Sequence, residues 1–169
     1  MQINGHICLC LGKTSPRYSG AARATQHASC REPASSSGGP LLEASAIGSL
    51  TRNLMPLCRL VTPDLVELAI LAGSRPAVDD CEILRQGQGL LATGSQIVLA
   101  KGGHATGPRS TEILLRSGQE PISFDAPRLA GSMRGTGCLL ACAIAAHLAN
   151  GRSLEHAVGQ AKQFVFAKL

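Results

Sequence analysis

The stretch Gly135-Thr136-Gly137-Cys138 runs without a break into an apolar run over residues 138–146, and it constrains this chain more than any other feature. Two glycines bracket a threonine, so the backbone can turn tightly and a ligand can approach it closely. The apolar run predicts a buried helix ending near Asn150-Gly151. A turn that feeds a helix N-terminus aims free N–H groups and the positive end of the helix dipole at one place. That suits an anion such as phosphate. Cys138 falls in the first turn, where a thiolate is favoured over a thiol. The same residues also satisfy a plainer reading. Glycine turns before helices are common, and cysteine serves as a small buried residue.

The wider composition narrows the classes of function. At 169 residues the chain can bury one real core. Aromatic residues are 2% of it, which excludes a base-stacking platform for single-stranded nucleic acid. The net charge of +5 comes from arginines spread along the chain, a pattern that favours small anionic ligands over nucleic acid. The seven cysteines are odd in number and contain no C-x-x-C pair. A disulfide framework or a zinc site is therefore not expected, and a cytoplasmic setting is. No apolar run reaches the length of a membrane span, and the N-terminus lacks a charged signal-peptide region.

Along the chain, residues 1–31 read as an atypical, poorly ordered segment in which Ile7-Cys8-Leu9-Cys10-Leu11 has the make-up of a strand. Gly12-Lys13-Thr14 is not a P-loop, because Ile7 stands where that motif needs its first glycine. Residues 35–40 form a flexible turn, and apolar spacing from Leu41 to Leu54 predicts a helix ended by Pro56. A strand is expected over 58–61. Thr62-Pro63 then opens a helix, with Thr62 as its cap and Pro63 at the first helical position, and Gly73 stops it. Residues 77–93 read as a helix weakened by Gly87 and Gly89. Gln96 to Ala100 is a clear strand ending in Lys101-Gly102-Gly103-His104. Two further strands, 112–116 and 120–124, flank Ser117-Gly118-Gln119 as a hairpin. Ser153 caps a closing helix.

Strands alternating with helices imply a largely parallel sheet covered on both faces, with ligands beyond the C-terminal ends of its strands. The pieces that fall there are Thr62-Pro63-Asp64, Lys101-Gly102-Gly103-His104 and the glycine turn. A strand-end lysine, a helix bearing Asp64 and Glu67, and an anion-binding turn are parts that phosphoryl transfer uses.

These residues resemble a known family. Leu60-Val61-Thr62-Pro63-Asp64-Leu65-Val66-Glu67 is similar to the T-P-N-x-x-E segment of ribokinase-like small-molecule kinases. Val98-Leu99-Ala100-Lys101-Gly102-Gly103-His104 resembles their V-L-V-K-G-G-H, and Arg134-Gly135-Thr136-Gly137-Cys138 their H-G-T-G-C. Residues 151–158 and 161–165 resemble the closing helix. The branch with cysteine after G-T-G is that of hydroxymethylpyrimidine/phosphomethylpyrimidine kinases of thiamine biosynthesis. The resemblance covers roughly residues 35–165. It implies an α/β, ribokinase-like fold: a partial three-layer αβα sandwich with a mainly parallel sheet, its N-terminal strands missing. Residues 32–169 would be the C-terminal part of the kinase domain.

The resemblance also implies ATP and Mg²⁺, with phosphorylation of the hydroxymethyl group or its monophosphate. Gly135, Thr136 and Gly137 would present N–H groups to the transferring phosphoryl group, and Cys138 would act as the base. Lys101 would neutralise phosphate charge, and Thr62, Gly102 and Gly103 would line the cofactor. Glu67 would hold magnesium through water, with Asp64 a weaker candidate. His104 carries no catalytic role. Cys142 reads as a packing residue, and His147 as a satisfied core histidine.

Three departures stand out: Asp64 where the family has Asn, Arg134 where it has His, and Leu139 where it has Thr. Residues 1–31 match none of the family's N-terminal half. The function expected is thus a pyrimidine-phosphorylating kinase. A non-catalytic remnant keeping part of the nucleotide site and a pyridoxal kinase-like activity are the alternatives. The partners expected are ATP and a small pyrimidine, with neither nucleic acid nor membrane. A homodimer is one way to cover exposed sheet edges.

Overall fold

The computed structural model describes residues 8–12, 28–30, 44–102, 107–129 and 135–169. The expectations for the turn at 35–40, for Leu41, Gly103, His104 and Arg134, and for most of 1–31 lie outside them.

The strands are β1 (Cys8–Gly12), β2 (Ala28–Cys30), β3 (Cys58–Thr62), β4 (Ile97–Lys101), β5 (Arg109–Arg116) and β6 (Ile122–Pro127). They form one sheet in the order β2-β1-β3-β4-β5-β6. The α/β class holds, but the mainly parallel sheet does not. Among the described residues only β3 and β4 pair as strands in parallel, and the other four strand pairings are antiparallel. For the parallel pair and for the two pairings of β5, the reason is connection length. β3 reaches β4 through helices, as a parallel crossover requires, whereas short links from β4 to β5 and β5 to β6 permit only antiparallel neighbours. Two strands, β1 and β2, come from the atypical first segment.

The helices are α1 (Ala44–Ser49), α2 (Leu65–Leu71), α3 (Asp80–Ala92), α4 (Thr136–Ala149) and α5 (Leu154–Phe166). Strand alternation sends side chains to two cores. Val98, Ala100, Ile113 and Leu115 meet Leu68, Leu71, Ile83 and Leu90 on one face. Leu60, Leu99 and Leu114 meet Leu140, Ile144, Ala157, Val158 and Ala161 on the other. Being buried on both faces, β4 and the Ile113-Leu114-Leu115 part of β5 read as continuous apolar runs. Each of Leu60, Leu99 and Leu114 is at most 1% exposed, worth roughly 2 kcal/mol apiece in apolar burial.

Several local expectations change. Pro56 does not end a helix. A π turn over Leu50–Leu54 passes into a 3₁₀ turn, Met55–Leu57, whose first turn tolerates the missing proline N–H. α3 begins at Asp80 because Asp79 caps it, its carboxylate accepting the Glu82 N–H at 2.8 Å. α2 ends as expected at Gly73, whose φ is 61°. Ser74 N–H reaches the Ala69 carbonyl and Gly73 N–H that of Ile70, so the left-handed residue closes the helix. α4 is not buried all round. Leu140, Ala141 and Ile144 are buried, but Cys142 is exposed rather than a core packing residue. His147 is half-buried in the last turn of α4 rather than in the core.

Candidate functional site

β3 and β4 run in parallel, so their C-terminal ends lie side by side. Beyond Thr62 the chain stays against β4: Lys101 N–H donates to the Pro63 carbonyl at 2.9 Å, and Asp64 makes an isolated bridge with Lys101. Thr62 itself is the last residue of β3 and wholly buried, so it does not cap α2. Asp64 does. Its Oδ1 accepts the Glu67 N–H at 2.9 Å, while Glu67 Oε2 accepts the Asp64 N–H at 2.7 Å. This reciprocal capping box starts α2 at Leu65 and fixes the Glu67 carboxylate, 2% exposed, at the head of the helix.

Lys101 closes the gap between the strand ends and the glycine turn. Its Nζ lies 4.0 Å from Glu67 Oε2. A methyl placed on Gly137 would stand 3.0 Å from the same Nζ, so the ammonium lies close against the glycine backbone. Gly135, with φ 82°, is the N-cap of α4, a conformation that an L side chain rarely takes. The first intrahelical bond is Leu139 N–H to the Gly135 carbonyl at 2.9 Å. The N–H groups of residues 135–138 are therefore those a helix leaves over at its start. Cys138, half-buried, sits in this turn next to the glycine that Lys101 touches. A buried cation beside a helix N-terminus is chemically suited to an anion.

Gly102 is seated by β5: a Cβ there would overlap the Thr111 carbonyl oxygen. The Gly102 carbonyl accepts from Arg128 Nη2 at 3.1 Å. Arg128 also donates from Nη2 to the Arg109 carbonyl and from Nε to that of Gly107, each at 2.8 Å. A second buried pair lies across the strands, since Glu112 is the register partner of Lys101. The Lys162 ammonium donates to the Glu112 carboxylate and to the Ser110 carbonyl, the latter at 2.8 Å. Burial pushes the Glu112 carboxyl up, against the opposing pull of Lys162.

The structure thus brings together Thr62, Asp64, Glu67, Lys101, Gly102 and the 135–138 turn. It adds Arg128 and Glu112, which sequence reasoning missed. Neither carries a local signal, since each earns its place through strand register. The phosphate side of the expected chemistry fits: a buried ammonium, a bare-backbone cradle and a helix start converge. For a metal, Asp64 is engaged as a cap, and Glu67 is the carboxylate that reaches Lys101.

Residues 33–169 match the family model described as phosphomethylpyrimidine kinase. The chain belongs to the phosphomethylpyrimidine kinase family. Among its relatives, the hydroxymethylpyrimidine/phosphomethylpyrimidine kinase of Rhizobium meliloti is 39% identical over 134 residues, covering 79% of this chain and 50% of the relative. That of Salmonella typhimurium is 42% identical over 135 residues, with the same coverage, 79% and 50%. The chain spans about half the length of these relatives. Among solved structures, the pyridoxal kinase of Staphylococcus aureus in complex with AMP-PCP and pyridoxal aligns with a TM-score of 0.70 at 28% identity, over 76% of this chain and 48% of that one. The ribokinase-like fold expected from sequence is borne out, in part of its extent. Among the described residues, no helix is long and apolar enough to cross a membrane.

Proposed function

We propose that this chain is the nucleotide- and phosphoryl-handling part of a hydroxymethylpyrimidine/phosphomethylpyrimidine kinase, acting in thiamine diphosphate synthesis in the cytoplasm. The observation that carries the reading is the approach of Lys101 Nζ to Gly137 and Glu67 at the start of α4. In this reading the γ-phosphate of ATP lies against the N–H groups of Gly135, Thr136 and Gly137, which stabilise charge as it develops. Lys101 neutralises the phosphate oxygens. Cys138 receives or orients the proton of the substrate hydroxyl. Gly102 and Gly103 line the nucleotide, with the buried Thr62 behind them at the end of β3. Glu67 would hold magnesium through water, and the ion would screen the phosphate charge. Asp64 acts as the cap that fixes Glu67 rather than as a ligand.

The likeness to a pyridoxal kinase favours a second reading, in which pyridoxal is the acceptor. One assay separates the readings. The purified chain is given ATP, Mg²⁺ and either hydroxymethylpyrimidine phosphate or pyridoxal, and phosphorylated product is measured. Pyrimidine diphosphate that disappears in Cys138→Ala supports the first reading, and pyridoxal phosphate the second. Nucleotide-dependent thermal protection without product identifies a remnant that binds but does not turn over.

A further inference from the structure

We propose that Arg128 is a positioning residue for the phosphate-binding end of β4, which it fixes through the Gly102 carbonyl. The proposal rests on the nucleotide reading given above. Arg128 directly follows β6, and its main-chain N–H continues the β5–β6 ladder to the Pro108 carbonyl at 2.7 Å. Among the described residues its guanidinium then reaches three carbonyls: Gly102 at the end of β4, and Gly107 and Arg109 at the start of β5. One side chain therefore ties two strand ends to a third strand.

The Gly102 carbonyl is one residue past Lys101, so whatever fixes it also fixes the direction in which the Lys101 side chain leaves the strand. Lys101 is also held by its β5 register partner Glu112, by its N–H bond to the Pro63 carbonyl and bridge to Asp64, and by the Glu67 carboxylate 4.0 Å from its ammonium. Gly102 lies tight against the Thr111 backbone, and its carbonyl accepts from Arg128. Charged donors make the stronger class of hydrogen bond, and a planar fork can serve several acceptors at fixed angles. A lysine at this position offers one compact ammonium and cannot span all three oxygens. With the clamp gone, the ammonium of Lys101 loses its fixed approach to Gly137 while β4 itself stays paired.

The test compares the full chain with Arg128→Ala and Arg128→Lys. Affinity for a non-hydrolysable ATP analogue with Mg²⁺ is measured by titration, alongside melting temperature, with and without millimolar guanidinium. Both variants are expected to bind about tenfold more weakly, the scale on which misplacing a contact group acts. Added guanidinium should restore Arg128→Ala, whose cavity admits the ion, and leave Arg128→Lys unchanged. Binding by Arg128→Ala within twofold of the parent overturns the proposal. So does a loss that follows a lowered melting temperature and resists guanidinium, because the residue is then a plain structural staple. If the parent chain itself binds no analogue, the nucleotide reading fails and takes the role of Arg128 with it.

Discussion

Glu67 Oε2 stands 4.0 Å from Lys101 Nζ, with the two side chains only 3% and 10% exposed. At an effective dielectric of about 20 such a pair attracts by roughly 4 kcal/mol. Removing each ion from water costs several kcal/mol, so the pair as a whole adds little to stability. Breaking it is another matter, because the Glu67 carboxylate stays buried without this cation. Lys101→Met is expected to cost about 3 kcal/mol in denaturant unfolding. Adding Glu67→Gln should recover most of that loss, since glutamine still accepts the Asp64 N–H and needs no counter-charge. A double variant no more stable than Lys101→Met would show that the two groups do not interact.

The capping box gives a second prediction. Asp64→Ala removes the acceptor of the Glu67 N–H and should cost about 1 kcal/mol. Asp64→Asn installs the residue that the resemblance expects and should be nearly neutral, because asparagine caps as well as aspartate. Thermal melting of both variants checks this. Equal losses would mean that charge at position 64, not capping, supplies the stability.

Glycines in this chain divide into seats and spare positions. A methyl at Gly102 would strike the Thr111 backbone, which cannot swing aside as a side chain can. Gly102→Ala is expected to destabilise by roughly 3 kcal/mol, the upper part of the overpacking range. Gly87 faces Leu115, whose Cδ1 would lie 2.9 Å from an added Cβ, whereas Gly89 has nothing within 4 Å. Gly89→Ala should therefore stabilise α3 by about 0.8 kcal/mol through helix propensity. Gly87→Ala should give less than that, or a loss. Equilibrium unfolding of the three variants ranks them.

Glu112 sets a pH dependence. Desolvation raises its carboxyl above the ordinary glutamate value, with the Lys162 hydrogen bond and charge pulling the other way. The native state thus holds this proton more tightly than the unfolded chain does. The stability it contributes is full below the ordinary value and is lost as pH rises through the raised native value. Glu155 slopes the opposite way, because Arg116 holds its carboxyl below the usual range. Comparing the parent with Glu112→Gln isolates one group. On acidification across that window the melting temperature of the parent should climb relative to the variant. A constant difference would contradict the shift.

Much of this was legible from residues alone. The Gly135 to Cys138 turn, β4 and its closing lysine, and the Ser153 cap of α5 are local patterns, and the structure carries each. The cap of α2 falls on Asp64 rather than Thr62, although Thr62-Pro63 reads as an equally good helix start. What decides is that Thr62 is still paired with β1 and cannot leave the sheet. The mixed sheet was hidden because short links force antiparallel pairing, while the apolar runs of doubly buried strands look the same in either direction. Arg128 and Glu112 depend on register across β4, β5 and β6, which no single segment encodes.

The central claim is that the start of α4 and the end of β4 form one phosphate-binding place. It is tested most directly by backbone amide NMR during titration with an ATP analogue and Mg²⁺. The amides of Thr136, Gly137 and Cys138 should shift together with those of Lys101 and Gly102, and should do so at one common dissociation constant. Nucleotide binding that leaves the α4 amides unmoved, or that moves the two groups at different affinities, would contradict it.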